Sequence, residues 1–157
     1  MIFVLTGNGK GKTTSAIGMG VRAAGARKKV LMIQFLKPPG SSSEVKVIRK
    51  IENFDVKSFG KPGFIVQKEY LRKHPDLKKI GVREADREDF QLAKQGLDLA
   101  NEAIDSKRYD ILILDEICVA LSFGLVDIKE VMPLLKKASF SQKVDIVLTG
   151  RQCSRQI

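Results

Sequence analysis

Thr6-Gly7-Asn8-Gly9-Lys10-Gly11-Lys12-Thr13-Thr14 is the stretch on which the reading of this chain turns. It follows a short apolar run, Ile2 to Thr6, and opens a segment, about Lys12 to Ala26, that places Ile17, Val21 and Ala24 on one helical face. A glycine-rich loop between a strand and a helix is the setting of a phosphate-binding loop. Glycines let backbone N–H groups turn inward around phosphate oxygens, and the first turn of the helix adds its partial positive charge. Lys12 brings a point charge to the phosphates, and the hydroxyl of Thr13 suits a Mg²⁺ ligand. One departure stands out. The usual pattern opens with a glycine and puts four residues between it and the Gly-Lys pair. Here that first position is Thr6, and the glycine has moved to Gly7. Packing alone is a poor explanation for Gly7, Gly9, Gly11, Lys12 and Thr13 together.

Outward from the loop, short β-rich runs alternate with helical ones, as in an α/β domain with a mostly parallel central sheet flanked by helices. Strands are predicted at Val30–Phe35, Phe54–Phe59, Asp110–Leu114 and Val144–Leu148, and the first strand reads as one covered by helices on both faces. Helices are predicted over about Arg83–Ser106, with Phe90, Ala93, Leu97, Ala100 and Ile104 as an apolar stripe, and over Val126–Ala138. A short helix or turn is expected over Glu44–Lys50, after the loop Pro38-Pro39-Gly40. Residues 60–82 carry Lys61, Lys68, Arg72, Lys73, Lys78 and Lys79 against Glu69 and Asp76, and are expected to form a basic, lid-like excursion at one sheet edge. The chain reads as a single domain over 1–157.

A second site is visible at Ile111-Leu112-Ile113-Leu114-Asp115-Glu116, an apolar run closed by two acids. An acid at such a strand end holds Mg²⁺ or its water beside the phosphate loop. Adjacent strand residues face opposite ways, so spacing leaves open which of Asp115 and Glu116 serves the metal. Together the two sites imply ATP or GTP with Mg²⁺, without naming the reaction.

Composition narrows the classes further. With 43% hydrophobic and 29% charged residues in 157, the chain is an ordinary globular one, and no apolar run is long enough to cross a bilayer. Two cysteines are too few for a disulfide framework, and no signal peptide is visible, so a cytoplasmic protein without membrane partners is expected. The net charge of +10 suits anionic partners. Only 6% of residues are aromatic and none is Trp, which leaves little with which to stack nucleic-acid bases.

These residues resemble the P-loop ATP:corrinoid adenosyltransferases of cobalamin synthesis and salvage. The displaced-glycine loop is similar to that family's own variant, and so are Gln34-Phe35-Leu36-Lys37, Glu44, Arg83-Glu84-Ala85-Asp86, Leu114-Asp115-Glu116 with Asp127 to Val131, and Leu148-Thr149-Gly150-Arg151. The resemblance implies a RecA-like P-loop fold. It also implies transfer of the 5′-deoxyadenosyl group of ATP to Co(I) of a corrinoid, with release of triphosphate. The nucleotide site would be Gly7, Asn8, Gly9, Lys10, Gly11, Lys12, Thr13, Thr14 and Arg151, with Lys12, Thr13 and Glu116 catalytic and Thr13 and Glu116 on Mg²⁺. Phe64 would be the aromatic that displaces the corrinoid's lower ligand. Val66 stands where many members have Trp. Met1 opens directly on the strand, without the helix that in some members covers the partner's site, and members usually continue past Thr-Gly-Arg. A homodimer and an electron-donating flavoprotein partner are also implied.

Two rival readings share the loop and the acidic strand. One is a RecA-like ATPase acting on nucleic acid, and the other is a small-molecule kinase. Neither accounts for the displaced glycine or for Gln34-Phe35. His74 is expected as a solvated loop residue, Arg83 as a surface residue, and Cys118 as a packing residue on a helix after the acidic strand.

Overall fold

A computed structural model describes residues 1–141 and 143–157. Its centre is a five-stranded parallel sheet in the order β1-β7-β6-β2-β3: β1 Ile2–Thr6, β2 Val30–Phe35, β3 Phe54–Phe59, β6 Ile111–Asp115 and β7 Asp145–Gly150. A separate parallel pair, β4 Phe64–Ile65 with β5 Val82–Arg83, lies in the excursion. The helices are α1 Lys12–Gly25, α2 Ser43–Ile48, α3 Lys68–Lys73, α4 Arg87–Ser106, α5 Ile117–Ser122 and α6 Ile128–Ser141. This is the expected α/β architecture of a RecA-like P-loop fold, and among the described residues no helix is long and apolar enough to cross a membrane.

The core divides by strand alternation. Val30 and Met32 of β2 join Ile113, Val147, Phe54 and Ala16 on the α1 side. Leu31, Ile33 and Phe35 join Leu97, Leu112, Leu114 and Leu134 on the side of α4, α5 and α6. Every residue of β2 is buried, which a strand with helices on both faces requires. Two glycines set how close the helices come. A Cβ on Gly20 would lie 2.6 Å from the Phe54 ring, and one on Gly96 would lie 2.8 Å from the Phe35 ring.

Four expectations need correction. β1 is not covered on both faces: it is the edge strand, paired only with β7, and Ile2 and Val4 stay open to solvent. On α1 the buried residues are the small ones, Ala16, Gly20, Ala23 and Ala24, because the helix sits close on the sheet, and Val21 is exposed. Phe90 is also exposed, on the flank of the α4 stripe. α4 begins at Arg87 rather than Arg83, because Val82-Arg83 pairs as a strand and Asp86 caps the helix. The Asp86 carboxylate accepts from the amides of Glu88 and Asp89, and the Asp89 carboxylate accepts from the Asp86 amide, a reciprocal cap that fixes the first turn. The excursion itself is built from β4, α3, a 3₁₀ helix Pro75–Ile80 and β5.

Candidate active site

The loop between β1 and α1 turns on Gly7 at φ +117° and Gly11 at φ +99°, conformations open to glycine and strained for other residues. The Lys12 ammonium folds back over this loop. It donates to the Gly7 carbonyl at 2.7 Å and the Gly9 carbonyl at 2.5 Å. Asn8, Lys10 and Thr14 are exposed around it.

Asp115, the last residue of β6, is fully buried, and three donors converge on its carboxylate. Oδ1 accepts from the Thr13 hydroxyl at 2.8 Å and the Thr149 hydroxyl at 2.7 Å. Oδ2 accepts from the Lys37 ammonium at 2.8 Å. Lys37 also reaches Glu44 at 3.4 Å, Gln34 donates to the same Glu44 oxygen at 3.2 Å, and Ser58 donates to Gln34 at 2.9 Å. Burial works against the Lys37 charge, but Asp115 and then Glu44 together offset it, and the ammonium is held above its ordinary value. The turn that aims Lys37 is tight. Leu36 takes φ +64°, and a Cβ on Gly60 would lie 2.4 Å from the Leu36–Lys37 peptide.

Glu116 follows at φ +62°, which rotates its side chain out of the strand's alternation. Its amide donates to the Thr149 hydroxyl at 2.9 Å. Among the described residues no hydrogen bond or ion pair engages its carboxylate. Burial, and then the charge of Asp115, push that carboxyl above its ordinary range, against the opposing pull of Lys37, Lys12 and Arg151. The two acids that spacing could not separate thus differ: Asp115 is consumed by internal donors, and Glu116 has no side-chain partner among the described residues.

Lys12, Thr13, Asp115 and Glu116 therefore meet at one end of the sheet. Arg151 is exposed just after β7, where Gly150 packs closely on Cys118 of α5. Phe64 stands apart on β4 and is 76% exposed. Its neighbour Ile65 packs on the core, and Val66 shares a pocket with Ser122 and Phe123 at the end of α5. His74 is exposed and its ring lies 4.7 Å from that of Tyr70. Cys118 is buried in α5, where desolvation raises its thiol pKa. Arg83 corrects its expectation: it is not a plain surface residue but makes a two-pronged ion pair with the buried Asp89. Sequence reasoning also missed Lys37 and Thr149 as the partners of Asp115. The signal available was a glutamine in an apolar strand followed closely by a lysine.

Among the described residues no group of three or more His, Cys, Asp or Glu could hold a metal ion alone. A cation bound here would lean on phosphate oxygens for most of its ligands, as Mg²⁺ does. The Thr13 hydroxyl and the free Glu116 carboxylate fit that use. The arrangement is thus suited to holding a polyphosphate.

Comparison with known proteins agrees with this chemistry. The family model described as ATP:corrinoid adenosyltransferase BtuR/CobO/CobP matches residues 1–157. The corrinoid adenosyltransferase of Escherichia coli (strain K12) is 32% identical over 159 residues, covering 100% of this chain and 70% of that protein. The corrinoid adenosyltransferase CobA of Salmonella typhimurium (strain LT2) is 30% identical over 159 residues, with the same shares. That of a Sinorhizobium species is 28% identical over 157 residues, covering 100% of this chain and 66% of that protein. The chain belongs to the ATP:corrinoid adenosyltransferase family, transferases that take ATP and a corrinoid as substrates.

Proposed function

We propose that this family member moves the 5′-deoxyadenosyl group of ATP to Co(I) of a corrinoid, through the residues grouped around Lys12 and Glu116. In the balanced step, the Co(I) electron pair forms a bond to C5′. The C5′–O5′ bond breaks, its electron pair leaves with triphosphate, and cobalt ends as Co(III). The substrate is thus its own nucleophile, and the protein needs neither a nucleophile nor a general base. Its work is to hold C5′ in line with cobalt and to stabilise charge on the leaving triphosphate.

Gly7, Gly9 and Gly11 would present the loop amides to the triphosphate, with Asn8, Lys10, Thr14 and Arg151 around its rim. Lys12 would exchange its two loop carbonyls for phosphate oxygens. Thr13 and Glu116 would hold Mg²⁺, with Asp115 fixing the Thr13 hydroxyl from behind. When bound, Mg²⁺ supplies positive charge against the developing negative charge of the leaving group. The observation that carries this reading is the contrast between Asp115, whose two oxygens both accept from internal donors, and Glu116, whose carboxylate has no partner among the described residues and feels the charges of Lys12 and Arg151.

On the corrinoid side, Phe64 would press on the lower face of the macrocycle and displace its axial ligand, with Val66 as a smaller companion. We extend the reading to a single-domain, cytoplasmic homodimer supplied with electrons by a reduced flavoprotein. The basic residues of the excursion support an acidic partner, and the two free cysteines support a reducing compartment.

Lys12→Ala and Glu116→Gln test the assignment under anaerobic turnover with cob(I)alamin and ATP. Each is expected to lower triphosphate release by about 10²-fold or more, the usual cost of losing one group that stabilises a charged transition state. Unchanged release in both variants would overturn it.

A further inference from the structure

We infer that Arg83 is a positioning residue for the corrinoid half of the site: its fork onto Asp89 and its bond to the Pro62 carbonyl fix the ribbon that holds Phe64 out. This inference rests on the proposed function, and specifically on Phe64 meeting the corrinoid.

The segment that carries Phe64 is held to the body of the protein by few ties, and Arg83 is central to them. β4 and β5 pair over two residues each, with the Phe64 amide donating to Gly81 O at 3.0 Å and the Val66 amide to Arg83 O at 3.0 Å. So short a ladder cannot by itself orient the ribbon against the sheet. From β5, Arg83 reaches both ways. Nη1 and Nη2 donate to the two oxygens of Asp89 at 2.5 and 2.8 Å, and Nε donates to Pro62 O at 3.1 Å. Asp89 is 4% exposed, sits in the first turn of α4, and also accepts from the Asp86 amide. Desolvation opposes the charge of Asp89, but the Arg83 fork and the Asp86 amide together offset it and hold the carboxyl below its ordinary range. Lys61, just before Pro62, adds a second tie to Asp86 at 2.5 Å and Glu88 at 3.0 Å, on exposed groups worth little in water.

The result is a chain of fixed parts. The start of α4 holds Asp89, Asp89 holds the planar guanidinium, and the guanidinium holds the carbonyl two residues before Phe64. Gly63, between them, sits at φ +103°, and a Cβ there would lie 2.8 Å from Gly81 O and 3.0 Å from Arg83 Nε. With this frame in place, strand alternation turns Ile65 into the core and Phe64 to solvent. An aromatic left 76% exposed on a rigid ribbon is suited to meeting a large apolar ligand face. A lysine at position 83 could keep the charge but could not span both carboxylate oxygens and Pro62 O.

The test compares four proteins anaerobically: wild type, Phe64→Ala, Arg83→Lys and Gly63→Ala. Gly63→Ala displaces the same turn through the strain of its φ of +103° and the crowding of Gly81 O and the Arg83 side chain, while both charges of the ion pair remain, so it covers the case in which Arg83→Lys fails to fold. The readouts are KM for cob(I)alamin, KM for ATP, and the absorption and electron paramagnetic resonance of cob(II)alamin bound with ATP. The inference expects both frame variants to follow Phe64→Ala. Corrinoid KM should rise on the order of tenfold or more, ATP KM should hold, and the signal of axial-ligand loss should fade. If Phe64→Ala shows these changes while the frame variants keep wild-type corrinoid KM and spectra, the inference is overturned. So it is if ATP KM rises equally with corrinoid KM, which marks general loosening. If Phe64→Ala behaves as wild type, or wild type transfers no adenosyl group, the underlying reading falls first and takes the inference with it.

Discussion

Asp115 and Glu116 are adjacent carboxylates given different work by what surrounds them. Three donors fix Asp115 and cancel its charge where water cannot. Removing one side of such a buried pair strands the other, at a cost of about 3–5 kcal/mol. Lys37→Met should therefore lower the urea midpoint strongly, whereas Lys46→Met, an exposed lysine with no ion pair among the described residues, should leave it unchanged. Glu116 is the opposite case. Its folded-state carboxyl is raised, so between the ordinary value and the raised one the folded protein binds more protons than the unfolded chain. Stability from this group is then lost as pH rises through that window, and the free protein at neutral pH carries the penalty. Glu116→Gln removes the penalty, so it should raise Tm at pH 7 and flatten the dependence on pH above the carboxylate range, while turnover is lost. A lower Tm would mean that the carboxylate has a stabilising partner.

Helix α4 shows how much of an element can be read from sequence and where the reading stops. Ala93, Leu97, Ala100 and Ile104 recur at helical spacing and all face the core. The start was misplaced by four residues because Arg83-Glu84-Ala85-Asp86 has good helical composition, and only tertiary pairing of Val82-Arg83 with Phe64-Ile65 makes it a strand and a turn. The same limit hid the Arg83–Asp89 pair, since an i, i+6 spacing has no meaning inside a helix. Gly96 was silent in the sequence. In the fold it is where α4 meets the Phe35 ring, so Gly96→Ala should destabilise by about 1–3 kcal/mol through overpacking, despite the better helix propensity of alanine. Chemical denaturation decides the sign, and a stabilised variant would show that the helix can lift off the sheet freely.

At the scale of the whole molecule, the parallel sheet gathers distant segments at one end. Residues 6–14, 34–37, 115–116 and 149–151 are far apart in sequence, yet each lies at the C-terminal end of a strand of this sheet. That is why the phosphate loop and the acidic pair were legible: each is a local motif with its own chemistry. The brace between them was not, because Lys37, Thr149 and Asp115 meet only when β2, β6 and β7 lie side by side. β1 was misread for the same reason, since its composition does not reveal that it closes the sheet on one side. The excursion was visible as a basic interruption, but its strands are two residues long and leave no periodic trace. The central claim is that one chain places ATP so that attack falls on C5′ and not on a phosphorus atom. The measurement that tests it most directly is anaerobic mixing of the protein with ATP, Mg²⁺ and cob(I)alamin, following the Co(I) absorption while assaying triphosphate, phosphate and ADP. The account predicts loss of the Co(I) band with one triphosphate released per cobalt; phosphate or ADP released with the band intact would contradict it.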